Sequence, residues 1–249
     1  MDPTDSIFGV APRKVILWDV DGTLLWIGTA TRQAFDRAVA SVLRQAVGDH
    51  GVSFGGKTDP QIALEIMSEL SVSDHEARRH LPGVLQALER EMEMAVDLLR
   101  QDGRVLPGVL ELLRRLERAP YVTQSVLTGN TEANARLKVG AFGLDRYFDL
   151  EVAAFGSDHA DRNELVSVAL EKLERLRGWR PAPKDVWIIG DTALDLACAR
   201  AAGARCLLAA TGRVAFDELA EAGADATLPD LSDVDAVERL LLSSATVPR

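Results

Sequence analysis

Cysteine is almost missing from this chain: 249 residues contain two, Cys198 and Cys206. Two such residues make neither a disulfide framework nor a metal-ligand spacing. Each falls in an apolar pattern, Cys198 among helical alanines and Cys206 in a strand, where a thiol packs as a small hydrophobe. Long apolar runs are missing too, and nothing approaches the ~20 residues a membrane-spanning helix needs. The opening MDPTDS carries acid where a secretory signal carries base, and no apolar segment follows it. These features predict a cytoplasmic protein with no membrane partner. Basic residues are in deficit, 28 Lys and Arg against 38 Asp and Glu, for a net charge of −10. That argues against nucleic acid as a partner, because phosphate backbones need a basic footprint. It leaves a small phosphate substrate open, since a local pocket can be positive on an acidic protein. The four histidines, His50, His75, His80 and His159, have no metal-ligand spacing and read as surface residues.

What is present is a core. Apolar residues make up 47% of the chain, far from a disordered composition. The run VILWDVDGTL at 15–24 reads as a buried strand over 15–19, ending in two aspartates one residue apart. Like charges that close raise each other's cost of ionising, and a bound cation would offset it. A helical pattern follows over 29–47, with Ala34, Ala38, Val42 and Ala46 four apart. Asp59 then reads as an N-cap with Pro60 in the first turn of a helix through 61–70. A third helix is expected from 81–82 to about 100, so 28–104 reads as helical with no strand. After LPGV at 106–109 the rhythm alternates. Helices are expected at 109–118, 130–139, 162–177, 193–202, 215–222 and 234–242, and strands at 122–127, 150–155, 185–189, 205–209 and 225–227. Short apolar strands alternating with helices imply parallel strands and right-handed crossovers. The fold class is therefore α/β. A Rossmann-like three-layer core with a parallel sheet is expected from 10–27 and 105–249, and 28–104 forms an inserted all-helical cap.

Parallel sheets bind ligands beyond the carboxyl ends of their strands. Those ends carry Asp19 and Asp21, then Thr128-Gly129-Asn130, then Gly190-Asp191 with Asp195 one helical turn on. Such converging carboxylates suit Mg²⁺, an octahedral ion that takes oxygen ligands. Thr128 and the neighbouring amides are placed to donate to phosphate oxygens. A fixed cation is still required. Arg162, at the start of a helix just past the strand at 150–155, is the candidate, with Lys138 and Lys184 as alternatives, Lys138 being mid-helix and Lys184 ahead of its strand. GGKT at 55–58 lacks a full phosphate-loop pattern. It reads as a cap loop, with Lys57 and Asp59 as weaker candidates for substrate contact. Trp26, at the exit to the cap, either narrows the entrance or packs against the cap.

DVDGT at 19–23, TGN at 128–130 and GDTALD at 190–195 together resemble the haloacid dehalogenase superfamily. LPGV as re-entry and the helical cap are similar to its phosphoglycolate-phosphatase-like branch. The resemblance covers most of the chain. It implies an Mg²⁺-dependent phosphatase acting on a small phosphorylated metabolite. Asp19 would be the nucleophile, Asp21 the general acid and base, and Thr128, Gly129, Asn130 and Arg162 the phosphate ligands. Asp19, Asp21, Asp191 and Asp195 would be the metal set, Asp195 either ligating or orienting. Arg162 stands where the superfamily usually has lysine. A sugar-phosphate mutase of the same superfamily and a non-catalytic phospho-receiver are the alternative readings. Oligomeric state and the particular ester are not legible.

Overall fold

A computed structural model describes residues 13–243; the predicted core segments 10–12 and 244–249 lie outside them. The elements run β1 (Lys14–Trp18), β2 (Leu25–Trp26), α1 (Ala30–Leu43), α2 (Asp59–Glu69), α3 (Asp74–Met94), α4 (Val96–Asp102), β3 (Arg104–Val105), α5 (Val109–Glu117), β4 (Val122–Thr128), α6 (Glu132–Ala141), β5 (Ala154–Phe155), α7 (Leu165–Arg177), β6 (Val186–Gly190), α8 (Ala193–Ala201), β7 (Arg205–Ala209), α9 (Phe216–Glu221), β8 (Ala226–Leu228) and α10 (Val234–Leu242). The main sheet is wholly parallel in the order β5-β4-β1-β6-β7-β8. Strand order reverses at β1, which puts that strand at the centre of the sheet.

All five residues of β1 are buried, because both faces of the sheet are covered. Its side chains alternate between two cores. Ile16 and Trp18 pack with Leu112, Leu113 and Leu116 of α5 and Val237 and Leu241 of α10. Val15 and Leu17 face Leu165, Val166 and Ala169 of α7 and Cys198 and Ala199 of α8. Burying each such aliphatic side chain contributes about 1.5–3 kcal/mol. The helices α1 to α4 form the inserted cap, with a third core built on Phe35, Ile66, Met67, Leu88 and Met92. No helix among the described residues is long and apolar enough to cross a membrane.

The structure departs from the sequence reading at several places. The insertion is flanked by strand after all: β2 and β3 pair antiparallel, Leu25 with Val105 and Trp26 with Arg104. Two residues a side are too few to show a period. The third cap helix begins at Asp74, well before Pro82, because the Ser73 hydroxyl accepts from the Glu76 amide. Pro82 is accommodated inside that helix at an exposed position. Helix α2 is capped by Thr58, whose hydroxyl accepts from Gln61 N, and Asp59 is its first residue. The expected strand at 150–155 shrinks to β5. Residues 150–153 turn instead of pairing, after Asp149 N donates to Gln124 O. Trp26 packs on the sheet core rather than on the cap core, with the Arg104 and Arg213 guanidinium groups 5.5 and 5.7 Å from its ring centre. His50 is buried, not exposed. Its ring nitrogens bond Asp36 and Val52 N, both at 3.1 Å.

Candidate functional site

Three strand ends meet above β1. The first turns tightly: Gly22 has φ +90, and its N–H donates to Leu25 O. A Cβ there would lie 2.4 Å from Asp191 Oδ2, so both conformation and space require glycine. That turn leaves Asp19 buried and Asp21 partly exposed. Asp19 N donates to Ile189 O, which carries the ladder one step beyond β1 and fixes the carboxylate beside β6.

The end of β6 supplies Asp191 and, one turn into α8, Asp195. Both are buried. Asp195 completes a capping box: its Oδ2 accepts from Thr192 N at 3.0 Å and from the Thr192 hydroxyl at 2.7 Å. Its Oδ1 is taken by Arg162 Nη2. Arg162 begins a 3₁₀ turn, Arg162–Glu164, after β5. The same Nη2 lies 3.1 Å from Asp19 Oδ1. Lys184 sits in the 3₁₀ turn before β6, at the opposite end of that strand.

The end of β4 supplies Thr128, Gly129 and Asn130. The Asn130 amide donates to Thr128 Oγ1 and to Asp21 Oδ2, both at 2.8 Å. Lys138 reaches the same point from α6. Its Nζ is 2.6 Å from Asp21 Oδ2 and 2.5 Å from Asn130 Oδ1, and the side chain is fully buried. From sequence, Lys138 reads as a mid-helix alternative to Arg162. The available signal was its place with Ala135 and Val139 on the buried face of α6, where a lysine needs an anionic partner.

Oxygens of Asp19, Asp191 and Asp195 lie within 4.8 Å of one another. Asp191 Oδ1 is buried without a hydrogen-bond partner, whereas both oxygens of Asp195 are engaged by protein donors. An all-oxygen set with one orphaned acceptor fits a hard divalent cation. Asp191 keeps the unpartnered oxygen, Asp19 has one oxygen beside Arg162, and Asp195 is arranged to hold Arg162 and Thr192. Asp21 stands apart from this group, tied to Lys138 and Asn130 through Oδ2, with Oδ1 unpartnered.

The electrostatics follow from this crowding. Burial raises the Asp19 carboxyl well above the usual carboxylate range, and Asp195 and Asp21 add to it against the pull of Arg162. Burial likewise raises Asp191, helped by Asp195 and Asp19. Burial alone would lower Arg162, but Asp195 and Asp19 outweigh it and hold the guanidinium charged. The Cys198 thiol, which donates to Arg162 O, is pushed up to about 12 by burial and is no nucleophile.

The cap loop lies directly on these strand ends. The Thr58 hydroxyl donates to Ala160 O at 2.8 Å, and Asp59 N donates to Gly129 O at 2.7 Å. Asp59 Oδ2 accepts from Thr131 N and the Asn134 amide of the core. A Cβ on Gly129 would fall 2.0 Å from Lys57 O. Lys57 itself is paired with Glu65 at 2.5 Å within the cap.

Comparison with known proteins follows the same lines. A family model described as haloacid dehalogenase-like hydrolase matches residues 13–203. A phosphoglycolate phosphatase of Pseudomonas fluorescens is 25% identical over 212 residues, covering 83% of this chain and 73% of that one. A predicted phosphatase from Clostridium acetobutylicum shares the fold with a TM-score of 0.69 at 18% identity, over 93% of this chain and 99% of the other. CbbY from Rhodobacter sphaeroides, solved in complex with phosphate, superposes with a TM-score of 0.61 at 21% identity, over 89% and 96% of the two chains.

Proposed function

The chain belongs to the haloacid dehalogenase-like hydrolases, and we propose that it hydrolyses a small-molecule phosphate monoester through an aspartyl-phosphate on Asp19. The observation that carries this reading is the setting of the Asp19 carboxylate. It is buried, 3.1 Å from Arg162 Nη2, and grouped with Asp191 and Asp195 within 4.8 Å.

Asp19 and Asp191 would hold Mg²⁺, with the Asp21 main chain beside them, and its charge when bound offsets the repulsion between carboxylate and phosphate. The protein supplies the rest. Arg162 gives a fixed positive charge at the nucleophile. The Thr128 hydroxyl and the main-chain N–H groups of Gly129 and Asn130 donate to the phosphoryl oxygens, where charge grows. In the first half-reaction an Asp19 oxygen bonds to phosphorus and the ester P–O bond breaks. The electron pair of that bond stays on the leaving oxygen, which takes the Asp21 proton. In the second, Asp21 removes a proton from water as the water oxygen attacks phosphorus. The bond to Asp19 breaks and inorganic phosphate leaves. Residues 28–104 serve as the cap domain on a core of 10–27 and 105–249, and the loop at 54–59 excludes bulk water.

The likeness to a phosphoglycolate phosphatase supports a place in that branch and a small phosphorylated metabolite as substrate. Two buried free cysteines support a reducing, cytoplasmic setting. The test is hydrolysis of p-nitrophenyl phosphate with and without Mg²⁺, for wild type and Asp19→Asn. Mg²⁺-dependent phosphate release that disappears in the variant is expected. Full activity in Asp19→Asn would remove the nucleophile from this scheme.

A further inference from the structure

We infer that Lys138 is a positioning residue for proton transfer: it fixes one oxygen of Asp21 so that the other delivers the proton to the leaving group. The inference rests on the phosphatase reading of the same site and adds to it a residue outside the three acidic and phosphate-binding motifs.

The geometry is a closed ring of hydrogen bonds. Lys138 Nζ donates to Asp21 Oδ2 at 2.6 Å and to Asn130 Oδ1 at 2.5 Å, and Asn130 Nδ2 donates to the same Asp21 Oδ2 at 2.8 Å. Asn130 Nδ2 also donates to Thr128 Oγ1 at 2.8 Å. Asp21 Oδ2 is therefore doubly held, and Oδ1 is buried with no partner. An ammonium is a donor only, so Oδ2 beside it is kept as an acceptor. A proton on this carboxyl belongs on Oδ1. When the ester P–O bond breaks, the leaving oxygen takes that proton and Asp21 is left anionic next to a fixed cation. A charge that develops in the transition state and meets a preorganised partner is where electrostatic catalysis acts.

Among the described residues, the hydrogen bonds of the Lys138 ammonium all lie within this ring. Its side chain is 0% exposed, and its ammonium is spent on Asp21 and Asn130 rather than on the surface. The cation at the nucleophile is already supplied by Arg162, from the opposite face of the sheet. A buried lysine is costly to retain without an anionic partner, and here that partner is the general acid.

The consequence is a dependence on the leaving group. Nitrophenolate departs without a proton, whereas an alkoxide does not. The experiment compares wild type, Lys138→Met and Lys138→Arg on p-nitrophenyl phosphate and glycerol phosphate, reading kcat/KM, which reports the first half-reaction, together with inhibition by inorganic phosphate. Lys138→Met should lose roughly tenfold or more on the alkyl ester beyond its loss on the aryl ester, within the range general acid catalysis supplies. Lys138→Arg should recover part of that difference, and phosphate inhibition should stay unchanged. If the methionine variant does not fold, Lys138→Gln, a donor without charge, carries the same comparison. Equal losses on the two esters would overturn the inference in favour of packing. A weakened phosphate inhibition would overturn it in favour of phosphate binding. Wild type that hydrolyses neither ester would instead sink the phosphatase reading, and this inference with it.

Discussion

A single nitrogen, Arg162 Nη2, faces the carboxylates of both Asp19 and Asp195, and the Arg162 and Asp195 side chains are 6% and 0% exposed. Arg162 Nε is buried without a partner. The guanidinium thus acts here as a point charge, not as a fork. Arg162→Lys should keep most of the stability and activity, since one ammonium can occupy the Nη2 position. Arg162→Met should lose about 3–5 kcal/mol by leaving two buried carboxylates unpaired. Urea denaturation with kinetics on both variants checks this. A lysine variant as damaged as the methionine one would show that the planar group matters after all.

Gly129 is the contact at which the cap loop rests on the site, with the Lys57 carbonyl where a Cβ would go. Gly129→Ala should push residues 57–59 off the strand end and break the bond from Asp59 N to Gly129 O. The expected outcome is a fall in kcat/KM of roughly a hundredfold, on the scale of a 1 Å misplacement in an active site. Thermal stability should change far less, since the core strands are untouched. Steady-state kinetics and a melting curve separate the two.

Asp59 predicts a pH dependence of stability. Burial pushes its carboxyl up to about 6 from an ordinary 3.8, partly offset by Lys138 and the bonds from Thr131 and Asn134. Between roughly pH 4 and 6 the folded state keeps a proton that the unfolded chain has released. Stability from this group therefore falls as pH rises through that window. Asp59→Asn retains an acceptor for Thr131 N and should flatten the difference, being equal to or more stable than wild type at pH 7. Asp59→Ala strands two donors and should cost about 1–3 kcal/mol. Melting temperatures from pH 4 to 7 for the three proteins test the sign.

Cation binding should be visible without turnover. Mg²⁺ at a hundredfold excess over its Kd should stabilise the wild type by about 2.7 kcal/mol. Asp191→Asn should lose that response. The same variant should be more stable than wild type in chelator, because it relieves a carboxylate whose ionised form burial and Asp195 disfavour. Differential scanning calorimetry with and without EDTA reads both effects. A cation response that survives in Asp191→Asn would move the site elsewhere.

Much of this site was legible because strand ends are marked in sequence. Apolar runs stopping at Asp19, Thr128 and Gly190 announce where a parallel sheet presents its ligands, and the structure brings those ends together. Arg162 stands out in sequence by its position after a strand, although its partner Asp195 follows only from the fold. Other features were hidden for physical reasons. Lys138 reads as one more charge on a helix until α6 is seen packed with that face inward. Asp59 looks like a cap because Asp before Pro usually is one, yet Thr58 takes that role and frees the carboxylate to bridge to Thr131 and Asn134. The β2–β3 ribbon is two residues a side, shorter than any periodicity can reveal.

The central position of β1 has a consequence for how the chain is made. Its Val15 lies beside Thr123 on one side and Val186 on the other. The strand made before the others of its sheet therefore waits longest for its second neighbour. At ordinary rates of synthesis the apolar run ending in Trp18 waits on the order of ten seconds for its second neighbour. In that interval the cap helices, built largely from near-neighbour contacts, have time to form. The segment that ends at Asp19 is thus the one a nascent chain leaves longest without partners, and the one a holding chaperone would find.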